Sequence, residues 1–249
     1  MLIDNPDPSR SSNHSAPTRL TVFFVLALMA LAWVAGAAGT FSANRPQAIA
    51  DAPAGMLDCL SYAPFRKPGE TPFDPAASVS RERIAEDLRL LSSRTNCVRT
   101  YSIDQGLDAV PEVAASLGMQ VLLGAWLSRD RTLNQIELDR AIALAREHRG
   151  TVRALIVGNE VLLRRELPEH ELAEALKLAR SEAGVPVTYA DVWEFWLEHP
   201  DLVDAVDFVT IHILPYWEDE PVGIDEAAEH VRSIYRQAES ALGGAPRGR

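Results

Sequence analysis

Lysine is almost missing from this 249-residue chain, occurring only at Lys67 and Lys177. Lys67 falls in a proline-rich stretch and Lys177 in the middle of a helical pattern, so neither is placed to serve as a Schiff-base amine. Basic residues as a whole are outnumbered, with 24 Lys and Arg against 35 Asp and Glu and a formal net charge of −11. Scattered cations on an acidic chain argue against a nucleic-acid partner, which needs clustered Lys and Arg to meet phosphate. Cysteine is scarce too. Cys59 and Cys97 are too few for a disulfide scaffold or a zinc site. Two buried free thiols is the preferred reading, with a single bridge in an oxidising compartment as the alternative. His14, His148, His170, His199 and His230 lie in the leader or on helical patterns, so His212 has no second ligand at metal spacing; no metal and no other cofactor is expected.

What is present is apolar, at 47% hydrophobic residues, and long enough for one large core preceded by a leader. Residues 1–19 are polar, a cytoplasmic leader carrying Arg10 and Arg19. Residues 20–39 then run without a charge through Phe23, Phe24, Leu26, Leu28, Leu31 and Trp33, which is enough to span a bilayer. The small residues at Ala35-Gly36-Ala37 also suit a signal-peptide cleavage site. A long polar leader before a full-length apolar run favours an uncleaved anchor. Arg10 and Arg19 before it, against Arg45 just after it, put the amino terminus in the cytoplasm. Either way the globular part is exported, to the periplasmic or extracellular side. Residues 40–55, with Pro46 and Pro53, read as a linker, residues 56–242 as the globular domain, and residues 243–249 as a flexible tail.

Along the domain, strand and helix patterns alternate. Strands are expected at Met56–Tyr62, Cys97–Tyr101, Gln120–Trp126, Thr151–Val157, Val185–Ala190 and Phe208–Ile213. The first is followed by a loop holding Pro64, Pro68, Gly69, Pro72 and Pro75, where neither helix nor ladder persists. Ser80 caps a helix with Ile84, Leu88 and Leu91 on one face. Further helices are expected from Leu107 to Gly118, from Thr132 to His148, from Pro168 to Gly184, around Trp193–Leu197, and from Ile224 to Leu242. Six such alternations with short connections imply parallel strands and right-handed crossovers. The fold class is α/β, a (β/α)₈ barrel type with about six units present. A doubly wound open sheet is the alternative, but no Gly-rich phosphate loop follows the first strand to support its usual nucleotide function.

The chemistry concentrates where Ala154-Leu155-Ile156-Val157-Gly158 stops at Asn159-Glu160. An unbroken apolar run reads as a strand buried on both faces, and the carboxyl end of a barrel strand is where such folds place their chemistry. An apolar wall would disfavour the charged carboxylate and keep Glu160 protonated near neutrality, as a general acid requires. The plainer reading is that Asn-Glu merely caps the following turn. Parallel strands would gather Tyr62, Phe65, Arg99, Tyr101, Trp126, Asn159, Glu160, Tyr189, Asp191, Trp193, His212, Tyr216 and Trp217 at the same rim. Flat aromatic faces among hydrogen-bonding edges suit sugar rings, although each aromatic taken singly also fits core packing, which is preferred for Phe195 and Trp196. His212 is open between bonding a sugar or Glu160 and being a satisfied core histidine.

Five segments in order, Leu60-Ser61-Tyr62-Ala63-Pro64-Phe65, Cys97-Val98-Arg99-Thr100-Tyr101-Ser102, Val157-Gly158-Asn159-Glu160-Val161-Leu162, Val187-Thr188-Tyr189-Ala190-Asp191 and Thr210-Ile211-His212-Ile213-Leu214-Pro215-Tyr216, resemble the strand motifs of family 17 glycoside hydrolases. These are the β-1,3-glucanases and their bacterial β-glucan transglycosylase relatives. The resemblance implies a (β/α)₈ barrel, β-glucan as substrate, a retaining mechanism, Glu160 as acid/base and Asn159 on the sugar 2-hydroxyl. Some bacterial members with such a leader are membrane-bound and associated with periplasmic β-glucan synthesis or remodelling. Retention also needs a second carboxylate about 5 Å away. In the family it is a Glu in a Gly-Glu-Thr-Gly-Trp-Pro-like motif on a seventh strand, which has no counterpart here. The expectation is therefore a hydrolase or transglycosylase represented by a fragment or frameshifted product without its nucleophile. The alternative is a non-catalytic, membrane-anchored carbohydrate-binding remnant.

Overall fold

The computed structural model describes residues 19–43, 56–74 and 76–243; the expected leader, most of the linker and nearly all of the tail lie outside the described residues. The chain divides into two units, Met1–Ala50 and Asp51–Arg249. In the first, helix α1 (Arg19–Ala43) contains Val22–Gly39, a stretch long and apolar enough to cross a membrane, a property it shares with signal sequences.

The second unit alternates β1 (Leu60–Ser61), α2 (Arg81–Leu91), β2 (Cys97–Arg99), α3 (Val110–Ser116), β3 (Gln120–Ala125), α4 (Arg131–Glu147), β4 (Val152–Asn159), α5 (Glu169–Glu182), β5 (Val187–Val192), α6 (Trp193–Glu198), β6 (Thr210–His212) and α7 (Ile224–Leu242). The six strands form one sheet in the order β1-β2-β3-β4-β5-β6, and every pairing is parallel. A doubly wound sheet reverses strand order at its switch point; this one never does. Strictly sequential parallel strands make the incomplete (β/α) barrel that the motif order implied.

The helices form where periodicity placed them and are started by local chemistry. Ser80 Oγ accepts from the Arg83 N–H and starts α2, whose Ile84 and Leu88 are buried. Asp130 Oδ1 accepts from the N–H groups of Thr132 and Leu133 and starts α4, a cap not expected from the sequence. Pro168 stands one residue before α5, whose Leu172, Leu176 and Ala179 form the inward stripe. Strand β4 is buried at every position except Arg153, as expected of a strand covered on both faces.

Two strand boundaries and the state of the cysteines differ from expectation with consequences for the site. Strand β1 is two residues long, with one further bridge between Leu57 and Thr95. Strand β5 runs on to Val192, which takes Asp191 inside the sheet and not beyond it. Cys59 and Cys97 are joined in a disulfide and are not free thiols. Pairing of Leu60 with Val98 puts the two preceding residues side by side, with Cα atoms 4.4 Å apart, so the tie follows from the register.

Candidate active site

Strand β4 does not end smoothly. Its register with β5 is irregular between Ile156 and Asn159. Gly158 takes φ 82°, where an added Cβ would also come within 2.7 Å of Val161 Cγ2, so only glycine fits. Glu160 itself has φ 54°, a left-handed conformation that costs a non-glycine residue on the order of 1–3 kcal/mol. Its N–H donates to Ala190 O at 2.7 Å, and its carbonyl accepts from Arg164 N–H at 2.9 Å. The chain thus leaves the sheet through a sharp turn that presents Asn159 and Glu160.

Three strands supply the polar cluster. Arg99, the last residue of β2, donates through Nη2 to Asn159 Oδ1 at 2.6 Å and lies 3.2 Å from His212 Nε2 through Nη1. His212, the last residue of β6, places Nδ1 2.7 Å from Glu160 Oε1. A guanidinium can only donate, so His212 Nε2 accepts and Nδ1 carries the hydrogen that points at Glu160. Arg99, Asn159, Glu160 and His212 come from β2, β4 and β6. Alternate strands share a layer inside such barrels, which is why residues so far apart in sequence meet.

This geometry reverses one expectation. Donation from His212 holds the Glu160 carboxyl below its ordinary value; burial pushes it the other way, and the positive charges of Arg164 and Arg99 add to the lowering. Glu160 is therefore an ionised carboxylate near neutrality, not a protonated acid behind an apolar wall. Burial lowers the Arg99 pKa in turn, opposed by Tyr101 and Glu160.

The other expected rim residues divide. Tyr101 lies beneath the Arg99 guanidinium at 4.5 Å, so it belongs to the cluster through a cation–π contact. Trp126 is covered on one face by Arg164 at 4.0 Å. Tyr62 is only 5% exposed and its hydroxyl donates to Asp87 Oδ2 at 2.9 Å, so it is wall and not sugar platform. Asp191 is 0% exposed; its oxygens face the backbone N–H groups of Leu162 and Val192 and the Tyr189 hydroxyl. Neither side chain reaches the rim. Tyr216 and Trp217, 68% and 80% exposed, pack edge to face on the loop after β6, outside the hydrogen-bonded cluster. The remaining loop acid of interest, Glu218, accepts from Leu214 N–H and pairs with His230 at 2.5 Å, which staples the loop.

Two supporting residues escaped sequence reasoning. Arg164 donates to the carbonyls of Asn159 and Leu127 while covering Trp126. Glu137 Oε1 accepts from Ser102 Oγ, Ile103 N–H and Trp126 N–H, tying the ends of β2 and β3 to α4. A signal for the second did exist: Asn134 and Glu137 sit on the same stripe of α4 as the buried Leu138 and Ala141. Polar residues on an inward face need partners.

A sequential parallel sheet thus carries a carboxylate, an amide, an imidazole and a guanidinium joined across its carboxyl ends. The chain belongs to the BtgE/BtgC glycoside hydrolase domain family, whose model matches residues 59–247, and this bears out the resemblance to family 17 glycoside hydrolases. It is 30% identical over 146 residues to a glucan 1,3-beta-glucosidase of Schizosaccharomyces pombe, covering 54% of this chain and 46% of that one. It is 25% identical over 154 residues to glucan endo-1,3-beta-glucosidase btgC of Emericella nidulans, covering 55% of this chain and 23% of that one. Among solved structures, an active-site mutant of Rhizomucor miehei beta-1,3-glucanosyltransferase in complex with laminaritriose superposes with a TM-score of 0.65 at 27% identity, over 76% of this chain and 68% of that one. The chain spans less than half the length of these two curated relatives.

Proposed function

We propose that this protein cleaves or transfers β-1,3-linked glucan by a retaining mechanism in which Glu160 is the acid/base. One observation carries the reading: in a chain of a glycoside hydrolase family, the Glu160 carboxylate is oriented at the strand ends by a chain of hydrogen bonds through His212 and Arg99 to Asn159. Asn159 reaches the 2-hydroxyl of the sugar under attack, Arg99 and His212 border the same ring, and Tyr101, Trp126, Tyr216 and Trp217 supply its apolar platforms. Tyr62 and Asp191 have no part in sugar contact.

An acid/base alternates between two forms. The ionised Glu160 suits the half-reaction in which it takes a proton from the incoming hydroxyl of water or of an acceptor sugar. For the first half-reaction it must gain a proton, which a sugar that excludes water and a nearby second carboxylate would both favour. Among the described residues no second carboxylate bonds directly to Arg99, Asn159, Glu160 or His212, and the nucleophile is left unassigned.

Helix α1 anchors the protein in a membrane with the barrel on the periplasmic or extracellular face; secretion after cleavage is the alternative. The Cys59–Cys97 disulfide supports an oxidising compartment.

The test is turnover of laminari-oligosaccharides, read as reducing ends and as longer transfer products. Glu160→Gln should lose roughly 10²–10⁴-fold in kcat. Equal turnover in that variant would remove Glu160 from the mechanism. The rival reading is a binding-only protein that holds laminari-oligosaccharides without cleaving them. Laminaritriose binding without any turnover by the unaltered protein would select it.

A further inference from the structure

We propose that Tyr189 and Asp191 act as a positioning clamp on the Glu160 turn, setting from behind the sheet the direction in which the carboxyl points. This rests on the role given to Glu160 above.

Glu160 is held in a left-handed conformation that its own side chain does nothing to favour; unlike Asn or Asp it is too long to bond its own backbone there. Something outside the turn has to maintain it. The Leu162 N–H, two residues on, donates both to the Tyr189 hydroxyl at 3.0 Å and to Asp191 Oδ2 at 3.2 Å. The Leu163 N–H lies 3.5 Å from the same oxygen. Two residues before Glu160, the Tyr189 ring packs against Gly158, where a Cβ would come within 3.4 Å of its edge. Tyr189 therefore braces the strained residue from both flanks.

Asp191 is costly at this position. It is fully buried, and burial raises its pKa against the hydrogen bonds from Tyr189, Val192, Leu163 and Leu162. An apolar side chain would pack there without desolvating a charge, whereas a carboxylate is the side chain that gathers several N–H donors at one point. Its partners are the Tyr189 hydroxyl, the N–H of Val192 next to it, and the turn that carries Glu160. The clamp is also tied to the other half of the cluster. Tyr189 packs on Trp196 at 5.6 Å, and Trp196 Nε1 donates to Thr210 O at 3.0 Å, two residues before His212. One packed unit thus sets both the turn of Glu160 and the strand of its hydrogen-bond donor.

Tyr189→Phe, which keeps the ring, and Asp191→Asn, which removes the charge, test this in the full chain. Expected in both are faster amide exchange at Leu162 and Leu163 by about tenfold or more, and a shift of the Glu160 carboxyl titration in ¹³C NMR towards its ordinary value. With laminari-oligosaccharides, kcat should fall by roughly ten- to a hundredfold at nearly constant KM, as expected when a reacting group is misplaced and not lost. Folded variants with unchanged exchange and an unchanged Glu160 titration would overturn the clamp. So would equal proportional losses in KM and kcat. If the unaltered protein shows no turnover, the catalytic reading of Glu160 fails, while amide exchange and titration still decide whether the clamp exists. Should Asp191→Asn fail to fold, Tyr189→Phe alone decides between these outcomes.

Discussion

His212 Nδ1 lies 2.7 Å from Glu160 Oε1, and the Arg99 guanidinium on the far side of the imidazole leaves the ring only one way to share its hydrogen. The bond occupies one carboxyl oxygen, Oε1, and leaves Oε2 outside it. It also sets the charge state of the site in the absence of sugar.

The first consequence is a pH dependence. The folded-state pKa of Glu160 is depressed, so the bond contributes stability fully above the ordinary value near 4.5 and loses it as pH falls through the lower folded value. Urea unfolding of the native protein and of Glu160→Gln should therefore show a stability gap at pH 7 that narrows below about pH 4. A gap independent of pH would mean the carboxylate is not held by His212.

Removing Arg99 should affect two partners at once. Arg99→Ala leaves Asn159 Oδ1 and His212 Nε2 without their donor and takes a cation from near Glu160. Unfolding measurements should show a loss of about 1–3 kcal/mol, the usual cost of stranding buried polar groups. The Glu160 titration should rise. Arg99→Lys, a single point charge, cannot serve both partners in the same geometry and should recover only part of the loss.

The disulfide should matter more to stability than the two-residue strand it tethers suggests. Cys59 and Cys97 are 38 residues apart, and closing a loop of that size restricts the unfolded chain by about 3–4 kcal/mol. Cys59→Ala/Cys97→Ala should lower the urea midpoint accordingly, and a reductant should do the same to the native protein but nothing further to the variant. Identical midpoints in native and variant protein would show that the bridge adds nothing to stability.

Glu137→Leu should prove worse than its apolar surroundings predict. The substitution strands the N–H groups of Ile103 and Trp126, at about 2–4 kcal/mol for the pair, and loosens the β3 end that carries Trp126. Tryptophan fluorescence together with the urea midpoint reports both effects. A neutral outcome would show that water replaces the carboxylate there.

Much of this architecture is legible in the chain because its signals are local. Ser80 starts α2, Ile84 and Leu88 repeat on one helical face, and the apolar run before Asn159 reads as a covered strand. The strand ends were harder. Extending β5 by two residues beyond Ala190 reverses the meaning of Asp191, from a rim acid to a buried one, and Val192 alone is weak evidence that a strand continues. Tyr62 misled for a similar reason, since its partner Asp87 sits on the following helix.

The amino-acid sequence by itself determined the sequential strand-helix order, the apolar amino-terminal helix, the family, and the placement of Asn159-Glu160 at a strand end, because periodicity and short motifs act between near neighbours. Only the tertiary structure decided that Glu160 is ionised, that His212 donates through Nδ1, that the two cysteines are joined and that Asp191 grips the turn from inside. Those outcomes depend on partners 52 residues apart for Glu160 and His212 and 113 apart for Arg99 and His212. A protonation state or a tautomer belongs to the surroundings of a group, and chain closure through the sheet supplies those surroundings.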